Sequence, residues 1–295
     1  MSACVHGAAM IVPLTPGERL IGVCSRQQPV RSWPAMAVTD DPSTAPDPLG
    51  IRCSTVVQSL TRPYPVTIPM VTLVLLVPFY IFIAQEMSGR RLHAPELALD
   101  RLVPLLPAWA LVYGALYLFL ILLPVFVVRQ DQHIRRTVRA YLFVWITAYV
   151  CFLLYPTRAP RPPDVTGEGF AVWGLRFLYS ADPPFNCFPS LHVAHSFVSA
   201  LACYRVNPNV GIAATVCSLL VGISTVYTRQ HYILDVLAGM LLAGVAYAVF
   251  LRRSPSQEIP EIDRRLAPVF ALGILGIMGL AVVCSWVVYQ VRGGA

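Results

Sequence analysis

The sequence predicts an all-α integral membrane protein, and three observations carry that expectation. Apolar residues make up 56% of the 295 positions and charged residues only 13%, about half of the roughly 25% usual in soluble domains. The apolar residues gather in seven runs, most of them close to the ~20 residues a helix needs to cross hydrocarbon. The runs lack the period-two alternation of a barrel strand, and lipid does not tolerate unpaired backbone, so they are expected to be helices.

Taken in order, residues 1–67 hold nine prolines, several Ser/Thr/Asp clusters and no sustained apolar period, and read as a disordered arm. No charged stretch leads into an apolar one at the start, so a signal peptide is not indicated; Met10, Met36 and Met70 are alternative starts. The apolar runs follow at 68–85, 105–128, 140–155, 189–206, 210–227, 232–251 and 267–289. The third and fourth are short for a full span. The fourth carries His192, His195, Ser196 and Ser199, which suits a helix facing a cavity instead of lipid. Between these two runs, residues 170–179 alternate aromatic and aliphatic side chains with one arginine, the pattern of a short helix lying in the membrane interface. The expected organisation is an arm to residue 67, a six-helix membrane core over 68–251, and a loop with a seventh span over 252–295.

The basic residues are all arginine and the net charge is +7. Counted near the expected spans, eleven arginines lie on the side of the N-terminus and eight on the other, and three of those eight are Arg158, Arg161 and Arg229. The positive-inside rule then places the N-terminus in the cytoplasm and the opposite ends of the helices toward periplasm, exterior or lumen. The arginines are scattered over loops without exposed aromatics between them, so nucleic acid is not an expected partner; the expected partners are the bilayer and a lipid substrate. The eight cysteines show no CxxC pair or metal spacing, and Cys151, Cys203, Cys217 and Cys284 fall in apolar runs, where a thiol acts as a small hydrophobe.

Chemistry concentrates at the mouths of two runs on that second side. His231 and Asp235 are four residues apart, so on a helix they share a face. The carboxylate can then hold one ring nitrogen and leave the other as a lone pair aimed outward, as a nucleophile or base requires. Asp also costs roughly 2.5–3.5 kcal/mol at mid-bilayer and less near the edge, a weak bargain for a structural role alone. His192 opens the other run behind Pro189 and Ser190. Proline suits a first turn, the free N–H groups there favour an anion, the Ser190 hydroxyl adds a donor, and the histidine can deliver a proton to a departing oxygen. Arg158 and Arg161 sit in a proline-stiffened loop, where guanidinium forks match phosphate oxygens. Arg229 and His195 are further candidates for substrate contact. His6, His93 and His133 read as ordinary loop histidines.

These residues resemble the type 2 phosphatidic acid phosphatase superfamily, a six-helix membrane core with three motifs. The third motif, Ser-Arg, five residues, His, three residues, Asp, is matched by Ser224-Thr225, His231 and Asp235, with Thr225 in place of arginine. The second, Pro-Ser-Gly-His, is matched by Pro189 to His192 with Leu191 in place of glycine; in the first, Arg161-Pro162 fits and Leu154 stands at the lysine position. The departures, together with Asp100 to Pro107, resemble the branch that contains inositol phosphorylceramide synthase. The resemblance covers roughly residues 68–251. It implies that His231 attacks phosphorus to give a phosphohistidine, that Asp235 orients it, and that His192 protonates the leaving oxygen. Arg158, Arg161 and Ser190 would cradle the phosphoryl group, Ser224 and Thr225 would lie near substrate, and no metal or other cofactor is implied. The expected activity is a lipid-phosphate phosphohydrolase or a head-group phosphotransferase.

Two other readings stand beside it. His192-x-x-His195 and His231-x-x-x-Asp235 have helical spacings compatible with zinc ligands, which would make a zinc-dependent lipid hydrolase. A non-enzymatic lipid-binding scaffold on the same fold is the other.

Overall fold

The computed structural model describes residues 78–87, 89–253 and 259–293; the expected N-terminal arm and most of the first run lie outside these. The described residues form a helical bundle. Helix α1 covers 78–87 and is followed by a 3₁₀ turn at Ala98–Leu102. Then come α2 (Trp109–Val127), α3 (Asp131–Leu154), α4 (Phe170–Ala181), α5 (Leu191–Val206), α6 (Pro208–Tyr227), α7 (Ile233–Ala246, running on as a π-helical turn over Tyr247–Leu251) and α8 (Glu261–Val291). Among the described residues, five helices are long and apolar enough to cross a membrane: α2, α3, α6, α7 with its π turn, and α8. The protein is an integral membrane protein. Outward residues such as Leu118, Ile212, Leu241, Leu272 and Val291 stay exposed, as they must where the outer solvent is hydrocarbon.

Helix α5 is the axis. At 16 residues it is about 24 Å long at 1.5 Å per residue, short of the ~30 Å hydrocarbon core. It packs against α2, α3, α6 and α7, and all but four of its residues are buried. Enclosure by helices, rather than an open cavity, is what allows polar Ser196 and Ser199 at a membrane depth. Ser199 Oγ meets Tyr141 Oη at 2.7 Å and donates to His195 O at 3.1 Å, so the Ser199 hydroxyl is satisfied within the bundle, whereas Ser196 Oγ is buried without a hydrogen-bond partner.

Local chemistry sets the helix ends. Gln130 caps α3 by accepting from His133 N–H at 2.7 Å. This starts the helix nine residues before the apolar run does and puts Arg135, Arg136 and Arg139 on its first turns instead of in a loop. Asn207 ends α5 through its N–H to Cys203 O, and its side chain caps α6 with Pro208 in the first turn. Gly211 makes that hairpin possible, since a Cβ there would come within 2.2 Å of Tyr204 Cα.

The two ends of the bundle differ. At one end, Arg136 Nη1 donates to Arg253 O at 2.8 Å and Asn207 Nδ2 to Arg264 O at 2.9 Å, which gathers the starts of α3, α6 and α8 with the end of α7. At the other end, the loops before α2, after α3, before α5 and before α7 are laced together. His93 N–H donates to Pro156 O, Arg158 N–H to His93 O, Ala159 N–H to Pro184 O, and Leu106 N–H to Tyr227 O. Thr157 Oγ1 accepts from Cys187 and Phe188 N–H at 2.9 and 3.0 Å.

The first turns of α5 and α7 clasp each other at this laced end. Ser190 N–H donates to Asp235 O at 2.9 Å, and a Cβ on Gly239 would lie 2.5 Å from Ser190 O and 3.2 Å from Val193 Cβ. Only glycine lets the helices approach so closely. Gly239→Ala is expected to push α7 off α5 and lower stability by about 1–3 kcal/mol through overpacking. A thermal melt in detergent checks this.

Candidate active site

The clasp brings His192 and His231 together. His192 Nδ1 lies 3.2 Å from His231 Nε2, and the rings meet edge to face with centroids 5.5 Å apart. Behind His231, its Nδ1 is 3.4 Å from Asp235 Oδ2, longer than a made hydrogen bond, and neither His231 Nδ1 nor Asp235 Oδ1 has a hydrogen-bond partner. A proton on His231 Nδ1, on the side of the carboxylate, would leave Nε2 with its lone pair towards His192 Nδ1.

Each member is fixed by its own element. Asp235 stands in the first turn of α7, where Oδ2 accepts from Tyr232 N–H at 2.9 Å, so the carboxylate that serves His231 also caps the helix. Ser190 caps α5 by accepting from Val193 N–H at 3.4 Å and is fully buried. His192 is walled by Tyr113 and Tyr117 of α2, both edge-on at 5.5 and 5.0 Å between centroids.

Arg161 comes in from the loop after α3. Its Nη1 donates to Asp182 O at 2.7 Å and Tyr179 O at 3.2 Å, its Nη2 donates to Gln230 Oε1, and Nη2 lies 3.5 Å from Asp182 Oδ2. The guanidinium also covers the Tyr179 ring at 4.5 Å. Asp182 in turn accepts from Tyr80 Oη at 2.8 Å. Burial pushes the Tyr179 phenol up to about 12, so it stays a neutral donor, bonded to Thr228 O at 2.6 Å. Burial, reinforced by Asp235 and Asp182, also pushes the Cys187 thiol well above its usual range. That leaves Cys187 as a packed, unreactive thiol.

Of the residues singled out in the sequence, His192, His231, Asp235, Ser190 and Arg161 therefore share one locus. The others sit elsewhere or are engaged. Arg158 has its backbone bridged between His93 and Phe185, while its side chain is exposed. Arg229, with φ 54°, turns its guanidinium to Asp100 O at 3.1 Å and to Val103 O. Asp100 Oδ1 accepts from Ile233 N–H at 2.9 Å, so together they anchor the turn that carries His231. Ser224 and Thr225 are fully buried, and their hydroxyls donate to Val221 O and Gly222 O at 2.7 Å each. His195 stacks on Tyr141 at 4.4 Å and accepts from Trp145 Nε1 at 3.3 Å, an aromatic packing position. His133 is buried in the opposite half of the bundle, with Nε2 3.1 Å from Ala202 O.

Asp182, Gln230, Tyr113 and Tyr117 are neighbours that sequence reasoning missed. A carboxylate closing the interfacial helix and an amide beside His231 were visible signals, but neither has local spacing that names its partner. Among the described residues, no three His, Cys, Asp or Glu side chains are grouped as metal ligands.

A PA-phosphatase related-family protein of Dictyostelium discoideum is 30% identical over 121 residues, which cover 37% of this chain and 22% of that protein; the chain thus spans about a fifth of its relative's length. No solved structure matches. The profile of the PAP2 superfamily matches residues 93–249, a stretch that starts at the strapped loop before α2, takes in both histidine turns and ends in the π turn after α7. Running over more than half of the sequence, that match makes the chain a member of the PAP2 superfamily.

Proposed function

We propose that the protein is a lipid-phosphate phosphohydrolase or head-group phosphotransferase that works through a phosphohistidine on His231 without a metal ion. The observation that carries this reading is the line of three groups in which Asp235 backs His231 and His192 faces its free nitrogen at 3.2 Å. In the first step the His231 Nε2 lone pair forms a P–N bond as the P–O bond to the leaving group breaks. His192, entering the step as imidazolium, passes one proton to the departing oxygen and is left as neutral imidazole, while Asp235 balances the positive charge that grows on the His231 ring. In the second step water or a lipid alcohol gives its proton back to His192, its oxygen attacks phosphorus, and the P–N bond breaks. Arg161 stabilises charge on the phosphoryl oxygens, with the Ser190 end of α5 as a further anion-binding element; Arg158, exposed beside the site, would join only if its side chain swings in to the substrate.

Membership of the PAP2 superfamily and the membrane-spanning helices support a lipid substrate. So does a groove of about 200 Å³ between α2, α4 and α8, lined by residues such as Gly114, Leu118, Trp173, Leu178 and Met278. Its α2 wall is one position removed from Tyr113 and Tyr117, which touch His192. A hydrocarbon chain lying there would bring its head group to the histidines. The arginine-rich end of the bundle supports a cytoplasmic position for that end and a non-cytoplasmic one for the site. Exposed Glu168 lies in the site-side loop; failure of an impermeant thiol reagent to reach a Glu168→Cys variant in intact cells would reverse that orientation.

The test of function is release of phosphate, or formation of a new head-group-bearing lipid, from a panel of lipid phosphates and phospholipids by purified protein. Turnover unaffected by EDTA and blocked by vanadate is expected. Loss of turnover in EDTA would favour a zinc-dependent hydrolase, and no product from any donor would favour the scaffold.

A further inference from the structure

The turn before α7 holds a polar group that the proposed mechanism leaves unused. Gln230 is 2% exposed and immediately precedes His231 in the chain. Its backbone N–H donates to Thr225 O at 2.9 Å, so the residue is held in the tight turn and its side chain is committed to the interior. The amide oxygen accepts from Arg161 Nη2. A guanidinium offers no acceptor, so the oxygen must be the atom that faces Arg161, and the orientation of the amide is fixed. The two N–H bonds of Nε2 then point away from Arg161, and Nε2 is buried without a hydrogen-bond partner. Arg161 Nε is buried and without a partner in the same way.

The surrounding polar side chains do not fill these donors. The Ser224 and Thr225 hydroxyls are bonded to helix carbonyls, Arg229 is bonded to Asp100 O and Val103 O, and Ser190 caps α5. A buried amide nitrogen with no acceptor is unfavourable in a folded protein and is kept where a ligand supplies the acceptor. What the two donors lack is an anionic or carbonyl-like oxygen, and the residue that follows Gln230 is the one that takes phosphorus in the mechanism above.

We infer that Gln230 is a substrate-binding residue whose Nε2–H group donates to a non-bridging oxygen of the transferred phosphoryl group, paired with Arg161 Nε. The inference rests on the functional reading given above. Arg161 thus has a double relation to Gln230: it fixes which face of the amide is turned to substrate, and it binds the same group. A neutral donor here strengthens as charge spreads onto the phosphoryl oxygens in the transition state.

Two substitutions separate this role from simple support of Arg161. Gln230→Glu keeps an oxygen for Arg161 and removes the amide donor. Gln230→Met removes both at nearly the same volume. Each is measured for kcat and KM on the preferred lipid phosphate, for inhibition by vanadate, and for the rise in thermal midpoint that vanadate produces. Both variants are expected to lose about 10²–10³-fold in kcat, the usual cost of removing one oxyanion donor, with a similar loss in vanadate potency and a smaller change in KM. A Gln230→Glu protein within about threefold of wild type in kcat and vanadate potency, whatever Gln230→Met does, would overturn the inference and leave Gln230 as a support for Arg161. A wild-type protein that neither turns over any lipid phosphate nor gains stability with vanadate would overturn the functional reading, and this inference with it.

Discussion

Replacing His231 with alanine is expected to lower turnover by roughly 10⁴-fold or more, the scale seen when the nucleophile of a covalent mechanism is removed. The loss should appear with expression and membrane insertion intact. His231 lies in the turn between α6 and α7, outside the spanning segments, and that turn is held by contacts that do not use the imidazole. Arg229 grips Asp100 O and Val103 O, Asp100 caps α7 through Ile233 N–H, and the His231 backbone N–H donates to Thr225 O at 3.2 Å. The companion variant Asp235→Asn is informative because the carboxylate has two tasks. An asparagine oxygen can still accept from Tyr232 N–H and keep the cap, while the charge behind His231 is gone. Its rate should fall by about 10²–10⁴-fold with little change in thermal midpoint, since a neutral amide can hold the imidazole in the wrong tautomer. Trapping ³²P on wild-type protein in an acid-labile, base-stable form, and its absence in His231→Ala, checks the intermediate directly. Full activity in His231→Ala would end the phosphohistidine reading.

How much of this was legible in the sequence depends on the range of the interaction. Helix existence follows from runs of apolar residues, and within the described residues the second to seventh expected runs all coincide with helices. The interfacial segment at 170–179 is a helix from Phe170 to Ala181. Helix α3 starts early because its first turns are polar and governed by the Gln130 cap, a signal that hydropathy does not carry. In the site, His231 and Asp235 were readable because helical periodicity places them together. Asp182 and Gln230 were not, since they reach Arg161 from 21 and 69 positions away. Arg229 reads from the sequence as a candidate substrate contact because it lies close to His231. A positive φ turns it instead to Asp100, 129 positions back, and no local pattern announces that partnership.

The second large effect is expected at Arg161, where stability and catalysis can be pulled apart. Its guanidinium and the Asp182 carboxylate are 9% and 17% exposed and 3.5 Å apart. Arg161→Gln therefore leaves a mostly buried carboxylate with its Tyr80 bond but no counter-charge. Breaking one side of a buried pair costs about 3–5 kcal/mol, so the single variant should melt at a clearly lower temperature. It should also lose about 10²–10³-fold in kcat, because the cation proposed to stabilise the phosphoryl oxygens is gone. Adding Asp182→Asn removes the stranded charge while keeping an oxygen for Tyr80 Oη. In the double variant the thermal midpoint should return most of the way toward wild type and the rate should not. Recovery of both quantities would mean that Arg161 serves only to neutralise Asp182 and to tie the loop after α3 to α4. Recovery of stability alone is what a guanidinium that also faces the phosphoryl group requires.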